Sequence, residues 1–421
     1  MTTPLHRPIS RTSMAIAAFS TVVEWYDFTL YLYLVTILSR LFFGAGEASV
    51  VTTLGGFAIA YLLRPIGAIL FGHIGDRYGR RRAMLGSMAL MTAAMLATAL
   101  LPTREAIGPG AGVALILLRC VMAFAVGGEY TGVVAYLIEG AAPNRRGLIT
   151  SSASAASELG ALLAVGISAV TVASIAPAAL DSWGWRIPFL IGAALAGAVL
   201  IMRASMEESP EFERQRAEGS VPANPIAHAA RHHRAAIARG FAISALGSIS
   251  YYVGITYVPA FLTATRTMGE ADALSLSTIA AVVVIAVTPL VGLLSDRIGR
   301  RPVLIAVGLG GAILPIALFG TMAGAGFGAV LAGAVALAGL GGAVSAVGAV
   351  ATAELLPGEG RLSGLAFGAT GATAIFGGVT PWLAHLLITR TGSPLVPGVM
   401  IAAVALCVLP VLWRMPETKP S

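Results

Sequence analysis

The chain has 421 residues, of which 57% are hydrophobic and 11% charged, with a net charge of +7 and a mean hydropathy of +0.85. Soluble domains carry about 25% charged residues, so too little polar side chain is present to cover a soluble surface, and the high apolar content excludes a disordered chain. The 50 glycines follow no three-residue period, which excludes collagen, and long continuous apolar runs stand where a membrane β-barrel needs alternating segments of roughly ten residues.

An all-α membrane protein remains. A membrane helix takes about 20 apolar residues, and twelve spans are predicted: 14–43, 50–72, 83–101, 112–139, 148–175 and 185–204, then 237–264, 272–294, 302–323, 326–354, 362–389 and 394–414. The first run follows Arg7 and Arg11 and contains Glu24 and Asp27. That makes it a poor signal peptide and a retained helix. Cys120 and Cys407 lie far apart inside apolar runs, so neither a disulfide framework nor a metal site is expected. Segment 205–236 is the one long polar stretch between spans. It separates an N-terminal six-helix half (1–204) from a C-terminal six-helix half (237–421) and reads as a solvated cytoplasmic linker. Its histidines, His228, His232 and His233, follow no metal-ligand spacing.

Orientation follows from the basic residues. With both termini on one side, that side collects 20 of the 27, in the loops after the even-numbered spans, in 203–239 and at the ends; the opposite side receives Arg40, Arg104, Arg186, Arg266 and Arg390. Both termini are therefore placed in the cytoplasm. The basic clusters sit between apolar runs, so the pI of 9.8 reflects membrane orientation and not nucleic-acid binding.

The two halves echo each other. Gly72-His-Ile-Gly-Asp76-Arg77-Tyr-Gly79-Arg80-Arg81 recurs 220 residues later as Gly292-Leu-Leu-Ser-Asp296-Arg297-Ile-Gly299-Arg300-Arg301, and Glu139…Pro143…Arg146 is repeated more weakly as Glu354…Pro357…Arg361. Two parallel pseudo-symmetric six-helix halves around a central cavity are the architecture such a repeat suggests.

Ionisable side chains at membrane depth are costly and are functional candidates by default. Glu24 and Asp27 stand three apart on one helical face, which Ser20 and Tyr31 extend. A carboxyl group in a low-dielectric cavity holds its proton more tightly and can load and release it near neutral pH; Asp27, Glu24 and Glu158 are the proton-coupling candidates, with helix-to-helix hydrogen bonding as the alternative. Arg119, about 10 Å below the outer surface at 1.5 Å per residue, can bind a substrate carboxylate in a two-pronged geometry or hold Asp27. Tyr31, Tyr251, Tyr252 and Ser154 are the other substrate-binding candidates, although aromatic residues at that spacing often only pack. Arg64 and Glu129 fall in the inner half and are expected to pair with each other. In the repeated loops the glycines permit tight turns and close helix approach. Asp76 and Asp296 can accept hydrogen bonds from a helix N-terminus or from loop arginines such as Arg145, Arg146 and Arg361.

The paired G-x-x-x-D-R-x-G-R-R loops resemble the signature of the major facilitator superfamily. Glu24-Trp25-Tyr26-Asp27-Phe28, Arg64-Pro65-Ile66-Gly67, Gly127-Gly128-Glu129-Tyr130, Trp185-Arg186-Ile187-Pro188-Phe189, Glu208-Ser209-Pro210-Glu211-Phe212 and Phe376-Gly377-Gly378 narrow the resemblance to its metabolite:proton symporters, carriers of citrate, 2-oxoglutarate, shikimate and proline or betaine. The resemblance implies a cytoplasmic latch built from Asp76, Arg77, Arg80, Glu139, Arg145, Arg146, Asp296, Arg297, Arg300, Glu354 and Arg361. In the family, Arg119 belongs to an R-x-x-Q-G pattern whose last two positions are Met122 and Ala123 here.

The expected function is proton-coupled uptake of a small organic acid across a bacterial inner membrane, by a lipid-embedded monomer that uses the proton as coupling ion and no cofactor. A zwitterion carrier is the nearest alternative; the short run after Trp413 argues against the long helical tail expected of an osmosensing betaine carrier. Efflux and a transporter-like sensor follow. No nucleophile, metal-binding or nucleotide-binding motif stands in a fitting context, so an enzyme is not expected.

Overall fold

The computed structural model describes residues 9–44, 47–268 and 270–419. Arg7, counted above among the cytoplasmic basic residues, lies outside them. The described residues are helical almost throughout, without strands. Nine of their helices are long and apolar enough to cross a membrane, or ten when Arg234–Thr256 and Val258–Ala264, bent by 47°, count as one.

The first two predicted spans are not among them: the first is long but carries Glu24 and Asp27 within its longer piece, and the second is split into two short helices. The first is Arg11–Tyr33 followed by Val35–Phe42. The second is Glu47–Tyr61 followed by Arg64–Tyr78, with the break just before Pro65. Proline lacks the N–H that a continuing helix would use and is tolerated in a first turn, where Pro65 sits. The fourth span breaks at Gly128 and the eleventh at 377–379. The linker is more ordered than a solvated strap. Pro210–Glu218 and Pro225–His232 are helices capped by Ser209 and Asn224, and Phe212, Gln215 and Ala229 are buried.

Each half has its own apolar core, around Tyr26, Trp185 and Phe189 in the first and around Phe261, Phe319 and Ile401 in the second. The halves meet where the fifth span runs along the eighth and the inner part of the second along the start of the eleventh. Glycine makes that meeting possible: a Cβ on Gly147 would collide with the Gly292 carbonyl, and one on Gly292 with that of Gly147.

Candidate functional site

Between the halves lies a cavity of about 200 Å³. The first half lines it with Glu24, Trp25, Arg64, Tyr130, Ser154 and Glu158, and the second with Ser248, Tyr251, Tyr252, Thr370 and Thr373. Three of the predicted substrate-binding residues, Ser154, Tyr251 and Tyr252, thus face it, and so do two of the three predicted proton-coupling acids. Two hydrogen bonds cross the cavity from half to half. The Tyr251 hydroxyl donates to Glu158 Oε1 at 2.6 Å, and the hydroxyls of Tyr61 and Tyr252 meet at 2.7 Å. Trp25 stands edge-on to Tyr251, with ring centroids 5.4 Å apart.

Arg119 and Tyr31 are not among the cavity-lining residues, contrary to the sequence expectation. Arg119 donates to both oxygens of Asp27, at 3.0 and 2.5 Å, and its guanidinium lies 4.7 Å over the Tyr31 ring. All of these groups are buried. A guanidinium so enclosed is satisfied by the carboxylate that shares its burial, so the second option weighed for Arg119, holding Asp27, is the one adopted. Tyr31 spends its hydroxyl on the Thr53 carbonyl at 3.2 Å.

The expected Arg64–Glu129 pair is also absent. Arg64 Nη1 lies 3.7 Å from Glu24 Oε1, and its guanidinium stacks 4.6 Å from the Tyr61 ring and 5.4 Å from that of Phe28. Glu129 is clamped by Arg203, and both Ser20 and Ser87 donate to it, at 3.1 and 2.8 Å. Grouping Arg203 with the basic residues of 203–239 hid this partner, although the predicted sixth span, 185–204, contains it. The sixth-span helix continues to Ala204, which carries Arg203 inward to a position 1% exposed. The unbroken apolar run up to Met202 was the signal available in the sequence.

At the end of the bundle where the two repeated loops lie, two matching networks join the halves. Asp76 accepts from the backbone N–H groups of Leu362 and Ser363 at 3.2 and 2.8 Å, in the first turn of the eleventh span. Asp296 does the same for Gly147 and Leu148 at 2.8 and 2.9 Å, in the first turn of the fifth. A carboxylate at a helix N-terminus meets orphan N–H donors and the positive end of the dipole. Arg80 joins Asp76 (3.3 Å) to Glu139 (3.2 Å), and Arg300 joins Asp296 (2.7 Å) to Glu354 (3.1 Å). Arg361 reaches across to Glu139 at 2.6 Å, and Arg146 to Glu354 at 4.0 Å.

The loop arginines therefore meet the glutamates and not the aspartates, whose oxygens are already taken by backbone N–H groups and by Arg80 or Arg300. Arg145 and Arg297 are exposed, and Arg77 donates to the Pro222 carbonyl of the linker at 3.2 Å. These three stand outside both networks, against expectation.

Sequence reasoning missed a second matched set. Glu208 accepts from the Arg81 N–H at 3.1 Å, and Glu417 from those of Arg300 and Arg301 at 2.7 and 3.0 Å. The Ser209 hydroxyl donates to Glu139 and that of Thr418 to Glu354. Gly79 and Gly299, at φ +112° and +105°, leave room for these carboxylates. Burial pushes the Glu417 carboxyl up, but the N–H groups of Lys419, Arg300 and Arg301 outweigh it and hold it below the usual range. Met206-Glu-Glu208-Ser209 and Met415-Pro-Glu417-Thr418 are themselves an echo, 209 residues apart, that the sequence displays.

Residues 13–229 match the family described as sugar (and other) transporter, and residues 241–421 the one described as Major Facilitator Superfamily. The chain is 32% identical to the ectoine/proline transporter ProP of Corynebacterium glutamicum, over 90% of this chain and 78% of that protein. It is 31% identical to the citrate-proton symporter of Klebsiella pneumoniae, over 91% and 87% of the two chains. To the alpha-ketoglutarate permease of Escherichia coli it is 33% identical, over 87% and 85%. Among solved structures it resembles the proton:xylose symporter XylE bound to 6-bromo-6-deoxy-D-glucose, with a TM-score of 0.80 at 20% identity, over 97% and 96% of the two chains. The chain belongs to the major facilitator superfamily and is a multi-pass membrane transport protein, not an enzyme.

Proposed function

We propose that this protein is a proton-coupled symporter that carries a small carboxylated metabolite into the cell by alternating access. One observation carries the reading: the cavity between the halves is lined by one guanidinium, Arg64, and two carboxyl groups, Glu24 and Glu158. Arg64 donates no hydrogen bond among the described residues, and its nearest carboxylate oxygen, at 3.7 Å, is beyond hydrogen-bonding range. Its fork of donors is open to a substrate carboxylate, a geometry arginine matches with two parallel bonds. Glu24 and Glu158 are the proton sites that open on the cavity, and Asp27, released when Arg119 swings away, is the third.

In this reading residues 1–204 and 237–421 move as two bodies joined by the linker, with both termini in the cytoplasm. The protein works as a monomer in a bacterial inner membrane and uses no cofactor beyond the proton. The Asp76 and Asp296 networks hold the cytoplasmic side shut while the cavity faces outward; their release opens the inward path.

A single cation matches a single carboxylate, and further buried charges would lack partners. This favours a monocarboxylate over a tricarboxylate. The corner formed by Glu158, Trp25 and Tyr251 supports a second reading, a zwitterion, because a carboxylate beside aromatic faces suits a cationic nitrogen. The relative named an ectoine/proline transporter agrees with it.

The test is reconstitution in liposomes with radiolabelled mono-, di- and tricarboxylates, betaine and proline, with and without an inward proton gradient. Gradient-driven accumulation abolished by Asp27→Asn supports the symporter. Binding without accumulation would point to a sensor, and accumulation indifferent to the gradient would remove the proton from the account.

A further inference from the structure

We infer that one water molecule, seated between the two ion pairs of the first span, is the path by which a proton passes between Glu24 and Asp27. The inference rests on the proton-symport reading and adds a route to it. Asp27 is 2% exposed and is not among the residues lining the central cavity, so a proton needs another way to reach it. A second pocket, of about 20 Å³, provides the way. Its polar lining is Glu24, Asp27, Arg64, Arg119 and Tyr61, whose hydroxyl already meets that of Tyr252, and Met122 and Ala123 form part of its apolar wall. Glu24 is the carboxyl group that lines both spaces.

The pocket has the size and the chemistry for a water. One water needs at least about 10–15 Å³ of such space and two to four polar partners. Glu24 Oε2, a buried carboxylate oxygen of the lining, has no hydrogen-bond partner among the described residues. A water that donates one hydrogen to Glu24 Oε2 and the other to an oxygen of Asp27 supplies it, which removes the cost of leaving a buried polar group unpaired. The residues one turn after Arg119, Met122 and Ala123, offer no side-chain hydrogen-bond donor that could take its place.

The transfer is balanced. Protonated Glu24 gives its proton to the water oxygen while the water gives one of its own to an oxygen of Asp27. Glu24 becomes a carboxylate, Asp27 a carboxylic acid, and the water is regenerated; no electrons or further reactants enter. The proton also redistributes the arginines. With the proton on Glu24, Arg64 loses its ionic partner and turns to the substrate carboxylate. With the proton on Asp27, Arg119 is released and Glu24 holds Arg64. One proton thus alternates between the group that competes with substrate and the group that ties the first span to the fourth.

The test reads infrared difference spectra of the full-length protein in liposomes after a pH jump, with the carboxyl band of Asp27 assigned through Asp27→Asn. The wild type should protonate Asp27 and show a hydrogen-bonded water band that shifts in water labelled with heavy oxygen. Glu24→Gln should lose that band, and in Glu24→Gln and Ala123→Leu the protonation of Asp27 should slow at least about 100-fold, the usual worth of a positioned proton-transfer group. Protonation of Asp27 at the wild-type rate in Glu24→Gln would overturn the relay and leave proton coupling standing. A wild type that never protonates Asp27 would overturn the relay together with the role of Asp27 in coupling. Should Ala123→Leu not fold, the labelled-water band of the wild type decides: its absence would also overturn the relay.

Discussion

The two halves share a helix order and a loop motif but differ in where they keep charge. In the first half three ion pairs, Glu24–Arg64, Asp27–Arg119 and Glu129–Arg203, lie within or beside the spans, with every member buried or nearly so. In the second half every Asp, Glu, Lys and Arg sits at the end of a span or in a loop. Its face of the cavity is hydroxyl and aromatic: Ser248, Tyr251, Tyr252, Thr370 and Thr373. Charge in a membrane interior is retained where it works, so under the proposed function the first half does the anchoring and proton handling, and the second supplies shape and closure. The Asp76 and Asp296 networks, by contrast, are matched residue for residue, so in the proposed function the latch belongs to both halves equally.

The largest effect should come from breaking a buried pair of the first half. Arg203→Met strands the Glu129 carboxylate and should cost about 3–5 kcal/mol, read as a drop in thermal stability in detergent. Glu129→Gln combined with Arg203→Met should lose less than either single change. A charge swap between Arg64 and Glu129 should rescue nothing, because the two do not meet; rescue would break the account of the first half.

Arg64→Ala should weaken substrate binding by about 10- to 100-fold, the range for hydrogen bonds to charged groups, with Arg64→Lys in between. Tyr252→Phe, on the neutral face, should cost only about two- to tenfold. Binding assays on the reconstituted protein measure both, and equal losses would erase the proposed division between the halves.

The latch variants sharpen the symmetric part. Asp76→Asn and Asp296→Asn should each leave membrane insertion intact and cut transport by about tenfold, consistent with a charge lost from a helix N-terminus. Full activity in either would show that its arginines serve only as topological anchors. Thr373→Val should be the mildest, within about twofold, since its hydroxyl already donates to the Ala369 carbonyl of its own helix.

Much of this was legible in the sequence where a single physical rule decides the outcome. Apolar length and basic-residue placement gave the span positions, and the repeated Gly and Asp residues gave the helix-capping geometry of Asp76 and Asp296. What failed to show was partnership. Arg64 and Glu129 lie at compatible depths, yet depth does not say which helix faces which, and Arg203 reaches Glu129 from the end of the sixth span, where charge counting grouped it with the basic residues of 203–239. Arg119 was correctly placed near Asp27, but only the three-dimensional arrangement shows that this pairing removes it from the cavity and leaves Arg64 there instead. The roles of Glu208 and Glu417 were hidden for a related reason: the repeat continues past the last span of each half, where polar composition suggests linker and tail.

The most direct test is proton-driven accumulation of labelled carboxylates, with betaine and proline alongside, by wild-type and Arg64→Ala protein in liposomes. The account predicts accumulation by the wild type that collapses without the proton gradient and is lost in Arg64→Ala. Accumulation by Arg64→Ala at the wild-type level would contradict the assignment of Arg64 as the substrate anchor, and wild-type accumulation that ignores the gradient would contradict proton symport itself.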